Sequence, residues 1–499
     1  MREITETIAK MELTQVERVI APTVPANVEW LPLNTIMKYF EEEEWGDAQM
    51  MAELYKGKVL FDHSDRTWYF FRGHAWVPDR KNYVMNLVSS NVAAQYLHAI
   101  AAINQIEMGT IDDKVKELLK RAKSLKYYNR MNDILKLAKT HPDLSITGDE
   151  WHKNPLLTAC PNGVIDLTGG KLRFRDGEPE DYLRHTIPTE WKGIGAKAPR
   201  FEQFLSEIFA GDTGLIDFIQ RLFGYGLTGV ATDDKFPILW GEGRNGKDTL
   251  LETIEYVLSN ALAAPVQSEV LVTTDRNANA ATPHLIALRN RRIVWVNETN
   301  EGARLNGGQV KLLTGGGTIA ARPLYGQATE FKPTHLIMLM TNHKPHPGDD
   351  DAIWKRLLLV PFTERFVDEP VGQHEHPVDI DLGNKLKSEA SGILAWLVMG
   401  ALMWMEDGLH APETVKSATK EYKSKENMVD MFVDEMCVVG GDKEETSTVL
   451  YECYRRWSEE SGFGKGMSIT SFGERLGKIV TKKRTNAGSR YIGISLKIY

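Results

Sequence analysis

Two spacings of apolar residues alternate along the chain, and their order predicts its architecture. From Phe201 to Val230 apolar positions recur at helical intervals, at Phe204, Ile208, Leu215, Phe218, Ile219 and Leu222, closing on Gly224-Tyr-Gly-Leu-Thr-Gly229. This stretch, 201–232, reads as a helical collar. Short apolar runs of strand length follow at Phe236–Trp240, Arg291–Glu298, Leu336–Met340 and Leu357–Val360, with a helix over Asp248–Asn260 that carries Leu250, Leu251, Ile254 and Val257 on one face. The expectation for 233–370 is an α/β core. Upstream, residues 1–57 show helical patterning with an acidic run, Glu41 to Glu44, read as a solvated face, and 58–200 read as an α+β region. In that region Val59–Trp76 alternates as a short antiparallel sheet, helices fill Lys81 to Thr140, and glycine pairs mark a hairpin in Asn162–Leu172. Trp68, Tyr69, Phe70, Phe71 and Trp76 either fill the core or offer faces for stacking on bases. Downstream, Leu382–Glu406 within 371–428 is apolar and helical, but Lys385, Lys387 and Glu389 interrupt it, so it reads as a lid or packing element rather than a membrane span. The last segment, 429–499, orders its helices at Val429–Met436, Thr446–Ser461 and Ser468–Val480 before a strand pair ending at Tyr491–Lys497, the order of a winged helix.

Composition narrows the setting. The chain has 499 residues, enough for about three or four domains. Cys160, Cys437 and Cys453 are widely separated, without Cys-x-x-Cys spacing, signal peptide or long apolar run, which predicts a reducing, cytosolic environment and no membrane. The formal net charge of −8 argues against an all-round basic surface. Between Arg455 and Lys497, however, ten basic residues face Glu459, Glu460 and Glu474, a local charge of +7. That end is the candidate for contact with phosphate.

The candidate chemistry begins where the strand Phe236–Trp240 runs into Gly241-Glu242-Gly243-Arg244-Asn245-Gly246-Lys247-Asp248-Thr249. Strand, glycine-rich turn, lysine and helix in this order predict a phosphate-binding loop, with backbone N–H groups turned inward and Lys247 reaching the terminal phosphates of ATP. A hydroxyl on Mg²⁺ is the usual next residue, whereas here Asp248 takes that place and Thr249 follows. Both are candidate Mg²⁺ ligands. The strand at 291–298 delivers Glu298, the candidate for polarising water and holding metal, with Glu301 a further possibility. Asn342, at the tip of the strand Leu336–Met340, either positions the attacking water or merely starts a turn. Arg356 is either a finger for transition-state charge or a structural salt-bridge partner, and spacing favours neither. His374, His376 and Asp379 form a metal site or, more commonly, a polar turn.

These residues also carry a family resemblance. Gly241-x-Gly-x-Asn-Gly-Lys247, Asn297-Glu-Thr-Asn-Glu-Gly302, Lys311-Leu-Leu-Thr-Gly-Gly316, Ala321-Arg-Pro-Leu-Tyr325, Phe331-Lys-Pro-Thr334, Thr341-Asn-His-Lys-Pro345 and Ala352-Ile-Trp-Lys-Arg356 are similar to superfamily 3 helicases of the phage, plasmid and poxvirus primase-helicase group. The resemblance departs at Asp248 and at Gly317, where the family pattern carries aspartate. It implies an AAA+-type ATPase using ATP and Mg²⁺, forming a homo-oligomeric, usually hexameric ring and moving 3′ to 5′ on single-stranded or forked DNA. Glycine at the turn with β-formers on either arm makes Thr318–Thr334 a hairpin. The resemblance implies that this hairpin points into the ring channel, where Arg322, Tyr325, Gln327 and Lys332 meet DNA, the alternative being that Arg322 packs within its own subunit or at the subunit interface. It implies further that Arg356 acts on a neighbouring subunit and that Lys482, Lys483 and Arg484 form a basic wing on DNA, the alternative being a winged helix that binds protein. About 200 residues precede the collar, without a paired-carboxylate polymerase motif or zinc cysteines, so the expectation is a helicase whose priming comes from a separate primase or a replication initiator, in a bacterial host cell. The competing expectation is a nucleotide-switched DNA-binding or origin-melting ATPase without processive unwinding.

Overall fold

A computed structural model describes residues 29–106, 113–271, 281–297, 305–324, 328–348, 350–425, 428–485 and 488–497. The chain divides into two compact units, Met1–Trp191 and Lys192–Tyr499.

In the first unit, helices Leu33–Glu41, Glu43–Tyr55, Ala93–Ile106, Asp113–Ser124 and Tyr128–Ala138 close around Ile36, Met50, Met51, Val88, Tyr96, Leu118 and Ile134. Asp47 is buried inside this layer. Its carboxylate accepts from the Tyr96 hydroxyl at 2.6 Å, from Arg121 at 3.1 Å and from Arg130 at 2.7 Å, so the buried charge is neutralised rather than stranded. Glu41 to Glu44 are exposed as expected, and Glu44 also pairs with Arg130. Strands β1 (Val59–Asp62), β2 (Thr67–Arg72) and β3 (Ala75–Pro78) are antiparallel, and β4 (Ser145–Ile146) adds a parallel edge to β1, giving the order β3-β2-β1-β4. Of the aromatic residues on this sheet, Tyr69 and Trp76 are buried against Trp151 and Leu60, while Trp68, Phe70 and Phe71 are half-buried and packed on the cores. Burial removes Tyr69 and Trp76 as a stacking surface. A second antiparallel sheet, β5 (Leu157–Cys160), β6 (Gly163–Asp166) and β7 (Arg173–Arg175), contains the expected hairpin.

The second unit is built on five parallel strands, β8 (Phe236–Trp240), β9 (Ala263–Val266), β10 (Ile293–Asn297), β13 (Leu336–Thr341) and β14 (Leu357–Pro361), in the order β14-β8-β13-β10-β9. The small antiparallel pair β11 (Ile319–Ala321) and β12 (Thr329–Phe331) lies between β10 and β13 in the chain. Parallel strands covered on both faces read as continuous apolar runs, which is why four of the five were legible. β9 was not, because Ala-Ala-Pro-Val is short and holds Pro265, a residue tolerated here only because the strand is at the sheet edge.

Helices Pro199–Ile208 and Thr213–Thr228 precede the sheet. The second of these packs closely on helix Ala390–Asp407: a Cβ on Gly224 would lie 2.1 Å from the Gly400 carbonyl carbon, and one on Gly400 would lie 2.0 Å from Gln220 O. No single helix among the described residues is long and apolar enough to cross a membrane; Leu382–Ser388 and Ala390–Asp407 would reach that length only together, and they bend by 71° at Glu389. Ile393, Leu394, Leu397, Val398 and Ala401 are buried within the unit, so the longer helix spends its apolar surface on packing.

After β14 come the parallel pair β15 (Arg365–Val367) and β16 (Glu375–Pro377), and then a C-terminal cluster. There helix Met428–Met436, β17 (Cys437–Thr446), helices Ser447–Glu460 and Ile469–Ile479, β18 (Thr481–Thr485) and β19 (Gly488–Leu496) enclose Phe432, Tyr454, Trp457, Phe472 and Tyr491. The sheet order is β17-β19-β18. The expected strand pair is therefore a three-stranded sheet. β17 escaped notice because Gly440-Gly-Asp-Lys-Glu444 interrupts its alternation, and the pairing indeed shifts register between Val439 and Glu444.

Candidate functional site

Register brings three chain segments to one edge of the parallel sheet. Trp240 is level with Thr341 on one side and with Pro361 on the other, so Gly241, Asn342 and Phe362 leave the carboxyl ends of neighbouring strands side by side. Such an edge, where the chain leads away from β8 on both sides, is where open α/β sheets present ligand sites.

The loop is shaped by close approach. Gly246 has φ +87°, and a Cβ there would lie 2.5 Å from Ile208 Cγ2, so the collar helix packs directly on the turn. A Cβ on Gly241 would lie 2.2 Å from the Phe362 carbonyl oxygen. Gly243, by contrast, faces open space, and Glu242, Gly243 and Arg244 form an exposed rim. Helix Lys247–Leu258 starts at once behind this rim, its first turn aimed at the loop.

Lys247 is buried to 2% exposure. Its ammonium donates to Gly241 O at 2.6 Å, Asn245 Oδ1 at 3.1 Å and Asn342 Oδ1 at 3.2 Å. The ammonium and these oxygens form the floor beneath an open, glycine-lined rim, which fits a bound polyphosphate. Asn245 is held in turn by a bond from its amide to Glu242 O. Asn342 is fixed through its backbone, since Trp240 Nε1 donates to its carbonyl at 3.1 Å. Asp248 is exposed and Thr249 half-buried in the first helical turn, so both side chains can be reached by a metal at the rim. Glu298 and Glu301 lie outside the described residues; Asn297 ends β10, level with Met340.

A strap that sequence reading missed closes over the loop. Phe362 N donates to Trp240 O and Phe366 N to Arg244 O, each at 2.7 Å. Between them Glu364, 3% exposed, accepts from His374 Nδ1 at 2.8 Å and His376 Nε2 at 2.6 Å. Burial pushes the Glu364 pKa up, but the bonds from His376 and His374 outweigh it and hold the carboxylate below the ordinary glutamate value. The two histidines were visible in sequence as a metal candidate. The structure makes them ligands of a carboxylate, and no group of three metal-binding side chains occurs among the described residues. Beside Phe362, a cavity of about 280 Å³ is lined by Phe209, Asp212, Leu215, Pro361, Thr363 and Thr414.

Other candidate residues stand elsewhere. Arg356 lies at the amino end of β14, where its carbonyl accepts from Phe236 N, about 16 Å of strand away from the loop. Its guanidinium is tied to Thr314 Oγ1, Ala352 O and Asp234. It is therefore not part of the Lys247 cluster of its own chain. In the β11–β12 hairpin Ala321 pairs with Thr329 and Ile319 with Phe331. Arg322 is exposed one residue toward the tip, whereas Lys332 follows Phe331 and stands at the base of the second arm. Tyr325 and Gln327 lie outside the described residues. Lys482, Lys483 and Arg484 are exposed on β18, an edge strand, with the Lys482 ammonium 5.7 Å from the Tyr491 ring centre.

Residues 48–210 match the family described as D5 N terminal like, and residues 424–493 match the family described as Poxvirus D5 protein-like. These two matched segments precede and follow the strands of the parallel sheet along the chain. Between these segments, residues 239–356 match a family of unknown function (DUF5906). The chain is 27% identical over 422 residues to a "Putative helicase" of Acanthamoeba polyphaga mimivirus, covering 80% of this chain and 44% of that protein. It is 24% identical over 484 residues to a "Putative helicase" of Invertebrate iridescent virus 3, covering 85% and 50%. The chain thus spans about half the length of the curated relatives it matches. Among solved structures, the apo C-terminal region of NrS-1 is similar at a TM-score of 0.43 and 12% identity, covering 90% of this chain and 99% of that one, a similarity too slight to carry an argument.

Proposed function

We propose that this chain is the ATP-hydrolysing engine of a replicative DNA helicase, an AAA+-type ring ATPase of superfamily 3. The observation that carries the reading is the meeting of Lys247 with Asn342, residues from two adjacent strand ends, beneath an open glycine-lined rim. ATP, bound with Mg²⁺, supplies the phosphoryl group to be cleaved. The Gly241–Gly246 backbone and Lys247 hold the phosphates, Thr249, Asp248 and Glu298 are the residues that would hold the metal, and the cavity beside Phe362 receives the base. Asn342, already carrying its side-chain oxygen to the lysine, orients the attacking water, and Glu298 polarises it. Arg356, remote from its own loop, stabilises transition-state charge on the neighbouring subunit of a homo-oligomeric, hexameric ring. Arg322, Tyr325 and Gln327 grip single-stranded DNA in the channel, with Lys332 contributing from the hairpin base. The C-terminal cluster, whose helix-strand-helix-helix-strand-strand order suits a winged helix, sets Lys482, Lys483 and Arg484 against duplex phosphates at a fork. Movement runs 3′ to 5′, and a primase or initiator acts alongside.

The test is DNA-stimulated ATP hydrolysis measured beside unwinding of a forked duplex. Hydrolysis and strand separation should both vanish in Glu298→Gln while nucleotide binding persists; near-normal turnover in that variant would remove Glu298 from the mechanism. Exposed Asp248 in place of a hydroxyl favours the second reading, a nucleotide-switched ATPase that binds or melts DNA without processive unwinding. Hydrolysis and tight DNA binding without strand separation would decide for it. Under the helicase reading Asp248→Ser is tolerated or faster.

A further inference from the structure

The first unit has a face that the nucleotide site does not explain. Residues 113–130 hold seven basic side chains against Asp113 and Glu117, a local charge of +5 within a chain of −8. The helix Asp113–Ser124 divides these charges by direction. Leu118 and Ala122 turn into the core, and Arg121 turns inward with Arg130 to the buried Asp47. Lys120, Lys123 and Lys126 remain outward, exposed, and among the described residues none of the three has an acidic partner. The turn that follows presents Tyr127 and Tyr128 at 69% and 65% exposure. Positions 116, 120 and 123 follow helical spacing and share one stripe, and Lys126 and Tyr127 come in the turn just past the end of that helix. Two adjacent tyrosines this open to water leave most of their surface unburied within the unit.

We propose that this stripe and turn form a binding surface for single-stranded nucleic acid, with Lys120, Lys123 and Lys126 on phosphates and the Tyr127 and Tyr128 rings under unstacked bases. The pairing of mobile point charges with flat rings fits a flexible polyanion that offers π-faces. A duplex keeps its bases stacked and would use the lysines alone. The proposal does not depend on ATP hydrolysis, because the binding it describes needs no nucleotide.

The experiment uses the full chain without nucleotide and follows the anisotropy of labelled oligothymidylate and oligouridylate of about 30 nucleotides, a matched duplex, and phosphatidylserine vesicles, between about 50 and 200 mM salt. In Lys120→Ala/Lys123→Ala/Lys126→Ala the slope of log affinity against log salt should fall by about 2, at about 0.7 per phosphate lost. In Tyr127→Ala/Tyr128→Ala the single-strand affinity should fall at least about fivefold per ring, with duplex affinity unchanged. Tyr127→Phe/Tyr128→Phe keeps both rings and should bind as the unaltered chain does. Thermal melting should be the same throughout, and iodouridine in the oligonucleotide should cross-link to the peptide bearing Tyr127 and Tyr128. Whether thymidylate or uridylate binds tighter assigns the strand as DNA or RNA. Unchanged single-strand binding in both alanine variants overturns the proposal. So does equal loss of single strand and duplex in the lysine variant with no effect in the tyrosine variant, or a loss confined to vesicles.

Discussion

Lys247→Met separates the role of the buried ammonium in binding from its role in folding. Methionine is close in length and apolar, so the site stays filled while the charge is removed. In the folded chain the bonds of the ammonium include those to three neutral oxygens, at 2.6, 3.1 and 3.2 Å. Each bond from this charged donor contributes about 1.5–3 kcal/mol net, and their sum is offset by the several kcal/mol it costs to bury an ammonium. The two nearly cancel. Melting of the nucleotide-free variant should therefore shift by no more than about 2–4 °C, in either direction, for each kcal/mol of imbalance. Nucleotide binding is a different sum, because a phosphate brings a further negative charge to the ammonium. Two charge-assisted bonds of about 1.5–3 kcal/mol each predict an affinity for ATP about 10²- to 10⁴-fold weaker, and hydrolysis lower still. Calorimetric titration with a slowly hydrolysed analogue, run beside thermal melting, reads both quantities. A variant that binds the analogue as tightly as the unaltered chain, or that is strongly destabilised without it, would show that Lys247 is a structural cation and refute the site.

Arg356→Ala and Lys247→Ala subunits should each lack ATPase activity and recover part of it when mixed, since the guanidinium is about 16 Å of strand away from its own loop; mixed oligomers without recovery would argue for a structural salt bridge. Glu364→Gln should lower the melting temperature at pH 7, and the gap should close in acid. A carboxylate whose folded pKa is depressed contributes stability above its unfolded pKa and loses it as pH falls through the folded value, so a gap that stays constant from pH 7 to about pH 3 would remove the His374 and His376 bonds as its cause. Gly400→Ala should destabilise the second unit by about 1–3 kcal/mol, because its Cβ would stand 2.0 Å from Gln220 O and push two helices apart; an unchanged denaturation midpoint would contradict that packing.

What the sequence by itself determined was local. The spacing of Gly241, Gly243, Gly246 and Lys247, the helix behind them and four of the five parallel strands follow from chain-local rules, namely backbone freedom at glycine and the period of apolar residues, and the structure has them as strand, turn and helix. Tertiary structure decided what those rules cannot reach. That Asn342 touches Lys247, 95 positions away, depends on β13 lying beside β8, and strand order is a property of packing rather than of any one strand. The same holds for Arg356, which was equally legible as finger or brace until the parallel register set it at the far end of β14, and for His374 and His376, whose partner proved to be a buried carboxylate ten and twelve residues upstream. Lys120 and Arg121 are neighbours of like charge in sequence. Only burial of Asp47 tells them apart, drawing the arginine into the helical layer and leaving the lysine in water, because an unpaired carboxylate in the core costs more than a turned side chain.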